Sequence, residues 1–230
     1  MKQIKVIAFD ADDTLWDCQS WFDEVERKCC DLLAPWVTAR EVSEGLYATE
    51  RKNLSLTGYG TKAFTLSLVE NAVRITKEQI PGDIVMKLLM LGQDLLQFPT
   101  TPLPEVEETL RQLAERRRYR LVVFTKGELM DQEGKLRRSG LEQYFSHMET
   151  VSNKTEQEYR QLCENLGVAP EETLMVGNSF RSDIAPALAA GAWAAHIPYH
   201  VVWALEKSEE FPHERLHKIT HFGELLDIVD

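Results

Sequence analysis

The first apolar run of the chain stops abruptly at a cluster of carboxylates. Val6 to Phe9 is short, apolar and bounded by polar residues, which is typical of a buried strand. Asp10, Asp12 and Asp13 follow at once. Because side chains alternate along a strand, Asp10 and Asp12 are expected to point the same way. A solvated acidic turn is the plainer interpretation. The pattern nevertheless favours a ligand site, because open α/β sheets bind ligands at the carboxyl ends of their strands.

The stretch that follows is helical in pattern and has no convincing strand. Apolar residues recur at helical spacing from about residue 20 to residue 98, and Pro99, Pro102 and Pro104 then mark a return. The stretch is too long to be a loop between a strand and its crossover helix. We therefore predict an inserted all-helical domain at residues 17–98 and a discontinuous α/β core made of residues 1–16 and 99–230.

From Glu105 onward, short apolar runs alternate with helical patterns. Strands are predicted at about residues 121–124, 147–151, 173–176, 193–197 and 217–220, and Asn153 is predicted to cap the helix that follows it. Strands that alternate with helices indicate a parallel sheet with right-handed crossovers. The predicted fold class is α/β, with a Rossmann-like parallel sheet as its core.

Composition and charge narrow the classes of partner. The 230 residues carry a formal net charge of −11 and no basic stripe, which argues against nucleic acid and anionic membranes. No apolar run reaches the length of a membrane span, and the first strand begins too early to leave room for a signal peptide. The four cysteines have no C-x-x-C spacing and are expected to be reduced. These features predict a cytoplasmic protein.

Polar residues also follow the later strands, and their order is informative. Thr125-Lys126-Gly127 follows one predicted strand, Lys154 lies near a predicted helix start, and Gly177-Asn178-Ser179 leads to Asp183. Together with Asp10 to Thr14, this order resembles the four motifs of the haloacid dehalogenase-like superfamily of phosphohydrolases. The resemblance spans residues 1–16 and about 99–230, with a helical cap inserted after the first motif. Each motif alone is weak, whereas all four in order are a strong signal.

The resemblance implies a role for each matching residue. Asp10 would be the nucleophile that receives the phosphoryl group, and Asp12 would be the general acid and base. Thr125, Lys126 and Lys154 would hold the substrate phosphate. Mg²⁺ would be the cofactor, and its implied ligands are Asp10, the main-chain carbonyl of Asp12, Asp183 and Asn178.

The chain departs from the family pattern at three positions. Asp13 stands where glycine is usual after the second aspartate, which narrows the backbone conformations of the turn. Asn178 stands where an acidic residue is frequent, which lowers the charge available to a metal. Lys126 stands where asparagine is frequent, although that position acts partly through its main-chain amide. None of these changes removes a core catalytic group.

Several alternatives stay open at this level. A 2-haloacid dehalogenase needs neither metal nor Asp12, a phosphomutase would pass the phosphoryl group to a sugar phosphate, and a binding module would retain only the scaffold. A phosphatase acting on a small phosphorylated metabolite is the favoured interpretation.

Its oligomeric state is expected to be monomer or homodimer. The candidate substrate contacts are aromatic and basic residues: Trp16, Trp21, Tyr59, Lys62 and Phe64.

Overall fold

The computed structural model describes residues 4–230, and the chain separates into two compact units. The first unit contains the residues up to Gln19 together with Thr100–Asp230, and the second contains Ser20–Pro99.

The first unit is built on a parallel sheet. Its described strands are β1 (Val6–Phe9), β2 (Arg120–Lys126), β3 (His147–Val151), β4 (Thr173–Gly177), β5 (Trp193–His196) and β6 (Leu216–Lys218). Every pair of neighbours is parallel, and the order across the sheet is β3-β2-β1-β4-β5-β6. The predicted α/β class and parallel sheet are therefore confirmed. Since β1 lies between β2 and β4, the segments that follow these three strands emerge at one edge of the sheet.

Helices account for the rest of the regular structure in the described residues. In chain order they are α1 (Gln19–Leu33), α2 (Ala39–Thr57), α3 (Thr61–Ile75), α4 (Gly82–Leu95), α5 (Val106–Glu115), α6 (Leu129–Ser139), α7 (Glu156–Leu166), α8 (Ala185–Ala190) and α9 (Leu225–Val229). None of the helices in residues 4–230 is both long enough and apolar enough to cross a membrane.

Both faces of the central strands are covered by apolar side chains. One face packs Ala8, Phe124 and Met175 against α7 residues such as Tyr159. On β1, the Phe9 ring lies 5.8 Å from the ring of Phe145 and 5.9 Å from that of Phe222. All four residues of β1 are buried, as their apolar run predicts for a strand covered on both sides.

The regular structure in the described residues of the second unit consists of helices joined by short turns. Its apolar faces meet in a core that includes Leu46, Phe64, Leu68 and Leu88, all of them buried. A buried polar contact joins two of its helices, because the Asn71 amide donates to the carbonyl of Val42 at 3.0 Å. That contact satisfies polar groups that would otherwise destabilise the core.

One predicted helix cap is wrong. The residue that caps α7 is Thr155, which forms a reciprocal capping box with Glu158, and Asn153 instead accepts a hydrogen bond from the amide of Lys154 at 3.0 Å. The Thr-x-x-Glu spacing satisfies two helix-end amides at once, whereas an asparagine two residues earlier cannot.

Candidate active site

Three sequence-distant residues meet at the carboxyl edge of the sheet. Asp10 directly follows β1, Asp183 lies in the turn after β4, and Lys154 precedes α7. The Lys154 ammonium donates to Asp10 Oδ1 at 2.6 Å and to Asp183 Oδ1 at 2.7 Å. The Lys154 side chain is completely buried, and the two carboxylates are nearly so. We call this group the Asp10–Lys154–Asp183 cluster.

The cluster carries more negative than positive charge away from water. Burial is the largest influence on Asp10 and raises its pKa, and Asp183 raises it further, while Lys154 opposes both. Burial lowers the pKa of Lys154, but the two carboxylates outweigh that effect and the net shift is upward. An arrangement with two buried carboxylates and one ammonium favours an additional cation.

The turn after β4 presents Asp183 through close backbone packing. Residues Phe180–Ile184 form a π-helical turn, a rare conformation that is frequent at functional sites. The Ser179 amide donates to Asp183 Oδ2 at 2.9 Å. A Cβ atom on Gly177 would lie only 2.3 Å from that same oxygen. Glycine is therefore required at position 177 for Asp183 to approach the strand.

Thr14 links the nucleophile candidate to Asn178. Its hydroxyl lies 3.0 Å from Asp10 Oδ2 and 3.3 Å from Asn178 Oδ1, and it accepts from the main-chain N–H of Asn178 at 3.1 Å. With one proton, the hydroxyl donates to one of these two oxygens at a time. The sequence interpretation gave Thr14 no role, although it stands four residues after Asp10 in the same motif.

The Asp12 carboxylate is held by three side chains. It accepts from Trp16 Nε1 at 2.8 Å, from Gln132 Nε2 at 2.9 Å and from Lys135 Nζ at 2.9 and 3.1 Å. Burial acts to raise the pKa of Asp12, but Lys135 and the hydrogen bonds more than offset it, so the pKa lies below its ordinary value. We call Trp16, Gln132 and Lys135 the Asp12 clamp.

Two members of the clamp, Gln132 and Lys135, are not among the residues that the sequence motifs indicate, and the third, Trp16, is a candidate substrate contact in the sequence. Lys135 is fully buried on α6, where a lysine in a helical pattern is ordinarily a solvated residue. The Trp16 indole is fully buried and donates a hydrogen bond to Asp12, so its observed contact is with the site and not with solvent. Only the spacing of Gln132 and Lys135 on one face of α6 hinted at a shared partner.

The end of β2 places Thr125 at the same edge of the sheet, whereas the Lys126 side chain is bonded to Ser182 and Glu206. Thr125 is buried, and its hydroxyl lies 3.3 Å from the Lys126 carbonyl. The Lys126 ammonium donates to Ser182 Oγ at 2.8 Å and to Glu206 Oε1 at 2.5 Å. Glu206 was absent from the sequence interpretation, because it lies in a loop without a recognisable pattern.

Asp13 adopts the conformation that glycine would favour. Its φ of 62° lies in the left-handed region, and its Oδ1 accepts from the amides of Cys18 at 2.8 Å and Gln19 at 2.9 Å. Burial raises the pKa of Asp13 to about 7, against the lowering effect of these amides. The side chain thus fixes the turn that leads into α1, a task that glycine cannot perform.

The residues at the cluster fit a hard divalent cation. Within residues 4–230, no group of three or more His, Cys, Asp or Glu side chains is arranged to hold a metal. Mg²⁺ does not require such a cage, since it is bound by one or two carboxylates together with water and substrate phosphate oxygens. Asp10 and Asp183, with the Asn178 amide nearby through Thr14, offer oxygen donors of that kind.

The remaining substrate-contact candidates lie in the second unit and differ in exposure. Phe64 is buried with its ring 4.9 Å from that of Phe22, so it belongs to the core of that unit. The Trp21 ring stacks on Phe98 at 5.7 Å. Lys62 is exposed and Tyr59 is half-buried.

Comparison with known proteins places the chain in a family. The sequence profile of the haloacid dehalogenase-like hydrolases matches residues 4–191. A haloacid dehalogenase-like family hydrolase from Xanthomonas campestris is similar in structure, with a TM-score of 0.89 and 31% sequence identity, over 99% of this chain and 91% of that one.

Two similar sequences carry a named activity. The glyceraldehyde 3-phosphate phosphatase of Methanothermobacter thermautotrophicus is 27% identical over 197 residues, which cover 82% of this chain and 83% of that protein. The glyceraldehyde 3-phosphate phosphatase of Methanopyrus kandleri is 28% identical over 203 residues, or 84% of each chain. The chain belongs to the haloacid dehalogenase-like hydrolases.

Proposed function

We propose that this haloacid dehalogenase-like hydrolase is a phosphatase that cleaves a small phosphorylated metabolite through a covalent intermediate on Asp10. The observation that carries the proposal is the Asp10–Lys154–Asp183 cluster, in which one ammonium lies within 2.7 Å of both carboxylates. A carboxylate nucleophile must approach an anionic phosphate, and positive charge at the point of attack relieves the repulsion between them.

In the first step, an Asp10 oxygen forms a bond to phosphorus while the bond from phosphorus to the leaving oxygen breaks. The leaving alkoxide takes a proton from Asp12. In the second step, water attacks phosphorus, Asp12 takes the proton from that water, and Asp10 is released with inorganic phosphate. Lys154 stabilises the charge on the phosphoryl oxygens, and Thr125 and the main-chain amides after β2 orient them.

The Asp12 clamp favours the second proton transfer and opposes the first. Its hydrogen bonds and the Lys135 charge favour the ionised carboxylate, which is the form that accepts a proton from water. Donation in the first step requires protonated Asp12. We propose that substrate binding changes the hydrogen-bond partners of Asp12. Its carboxyl group then gives up part of the clamp and donates a hydrogen bond to the leaving-group oxygen.

The proposed cofactor is Mg²⁺, with Asp10, Asp183, the Asp12 carbonyl and Asn178 as its implied ligands. When bound, the ion would supply positive charge that neutralises the nucleophile and the transferring phosphoryl group. The excess negative charge of the buried cluster and its oxygen-only donors support this choice.

The substrate class follows from the named relatives. Both glyceraldehyde 3-phosphate phosphatases match more than four-fifths of this chain, which supports a small phosphorylated metabolite and makes glyceraldehyde 3-phosphate the first compound to test. We also propose that residues 17–98 act as a cap whose residues select the leaving group. Cytoplasmic location and a monomeric or homodimeric state belong to the same proposal.

The direct test is phosphate release from an aryl phosphate and a panel of small phosphate monoesters. Release should require Mg²⁺, stop on addition of a chelator, and fall by at least about 10³-fold in Asp10→Asn, because loss of the nucleophile removes the covalent route. The exposed carboxylate Asp94 provides the matched control, Asp94→Asn.

The alternatives give different results in the same assay. Halide release from 2-haloacids without metal, and without phosphate release, would establish a dehalogenase. Transfer of the phosphoryl group to a sugar phosphate rather than to water would establish a mutase. A folded protein that binds Mg²⁺ and performs neither reaction would contradict the proposal in favour of a binding module.

A further inference from the structure

A long segment without much regular structure connects β5 to β6. It comprises residues 197–215, and its only regular element is a short helical turn at Ala204–Glu206. Irregular loops of this length within compact domains are commonly functional, or else they are linkers. We call residues 197–215 the strap.

One carboxylate of the strap makes several contacts with the active-site edge, beside the Ile197 amide, which donates to the Gly177 carbonyl at 3.1 Å, and the Phe211 ring, which lies 5.0 Å from that of Phe180. Glu206 Oε1 accepts from the Lys126 ammonium at 2.5 Å. Glu206 Oε2 accepts from the hydroxyls of Ser179 at 2.6 Å and Ser182 at 2.5 Å. The neighbouring Leu205 carbonyl accepts from Arg181 at 2.6 Å.

These partners come from the two segments that carry site residues. Lys126 directly follows Thr125 at the end of β2. Ser179 and Ser182 belong to the turn that presents Asp183, and the Ser179 amide itself donates to Asp183 Oδ2 at 2.9 Å. Glu206 therefore reaches Asp183 through a single intervening residue, and it bridges that turn to the end of β2.

The bridge is shielded enough from water to matter energetically. The side chains of Lys126 and Glu206 are each only 13% exposed. Removing one partner of a shielded ion pair leaves the other charge without compensation, which is more disruptive than breaking a surface pair. The two serine hydroxyls would also lose their shared acceptor.

We propose that Glu206 is a positioning residue of the active site: from the strap, it fixes the turn that presents Asp183 and neutralises the Lys126 side chain. The inference rests on the proposed phosphatase function. It assigns the Lys126 ammonium to the strap, so that position 126 meets the substrate phosphate through its main chain only. Residues that orient a metal ligand from behind commonly contribute 10- to 100-fold to metal affinity or activity.

The test compares Glu206→Gln with Glu209→Gln, a control on the same strap whose side chain is exposed. In Glu206→Gln, the Mg²⁺ concentration for half-maximal activity should rise and kcat should fall, each by roughly 10-fold or more. KM for an aryl phosphate should change much less, since Glu206 does not contact the substrate. Glu209→Gln should match the wild type.

A second readout does not depend on turnover. In the metal-free protein, amide hydrogen exchange in residues 179–184 should be several-fold faster in Glu206→Gln than in Glu209→Gln, because the single amide oxygen of glutamine cannot replace both carboxylate oxygens, one of which accepts from Lys126 and the other from Ser179 and Ser182. This measurement decides the inference even if the wild type releases no phosphate, so its failure is distinct from failure of the proposed function.

Lys126→Met and the double variant complete the design. If Lys126 and Glu206 act as one unit, the double variant should be no worse than Glu206→Gln alone. Additive losses would overturn the inference. So would a Glu206→Gln protein with wild-type Mg²⁺ dependence, kcat and exchange rates. Thermal melting of each variant tests whether it is folded. If Glu206→Gln does not fold, Glu206→Asp, which keeps the charge, replaces it and should show smaller changes in Mg²⁺ dependence, kcat and exchange rates in the same direction.

Discussion

At the scale of single residues, the site consists of charges whose partners are fixed. Each carboxylate that the sequence singled out has its own setting: Asp10 faces Lys154 and Thr14, and Asp12 lies in its clamp. The positions of these two carboxylates at a strand end could be predicted from the apolar run that precedes them. The resemblance also indicated Lys154 at the site, but the Asp12 partners Gln132 and Lys135 could not be predicted, because they are more than a hundred residues away in the chain.

Asp13 provides a prediction with a defined pH dependence. Its pKa is about 7 in the folded protein against an ordinary value of 3.8, so the folded state holds the proton more tightly than the unfolded state does. The free energy of unfolding therefore falls as pH rises from about 4 to 7, and the full loss is present above 7.

Asp13→Asn should relieve that loss, because an amide oxygen still accepts from Cys18 and Gln19 and carries no charge. We expect the variant to be more stable than the wild type by roughly 1–3 kcal/mol at pH 8 and nearly equal to it at pH 4, measured by urea unfolding. An equal difference at both pH values would contradict the assignment. Asp94→Asn serves as the exposed control.

At the scale of elements, apolar pattern predicted most of the architecture. The strand β1, the helical stretch and the alternation after Glu105 all follow from periodicity, because buried strands and amphipathic helices leave clear patterns. The cap of α7 was misplaced because two capping residues compete within three positions. The strap has no apolar periodicity from which its structure could be predicted, and its proposed role depends on the position of Glu206 in the folded chain.

Gly177 at the end of β4 gives a prediction at this scale. In Gly177→Ala the new methyl group would overlap Asp183, which must then move. A displacement of about 1 Å at a reacting group can cost on the order of 10²-fold in rate, so kcat should fall by about that factor. Stability should fall by about 1–3 kcal/mol through overpacking.

The matched control is Gly82→Ala at the first residue of α4, where an added Cβ meets nothing within 4 Å. That variant should keep wild-type activity and stability. An active Gly177→Ala protein with an unchanged melting temperature would show that Asp183 does not need its observed position.

At the scale of the whole molecule, an acidic protein is proposed to act on an anionic substrate. Because the formal net charge is −11, the positive charge that attracts phosphate must be local, and we propose that it comes from Lys154, main-chain amides and a bound cation. The family follows from four motifs in order and is shown by the comparisons. The proposed choice of substrate by the second unit cannot be predicted in detail, because the sequence pattern of that unit indicates helices but no ligand chemistry.

The proposed mechanism is tested most directly by trapping the covalent intermediate on Asp10. A phosphate ester that the enzyme turns over, radiolabelled in its phosphoryl group, would be mixed with protein and Mg²⁺ and quenched in acid within one turnover. A covalent mechanism predicts a transient, hydroxylamine-sensitive label on the peptide that contains Asp10, absent from Asp10→Asn and from samples with chelator. Phosphate release at the wild-type rate without any label on that peptide, or with full activity in Asp10→Asn, would contradict it.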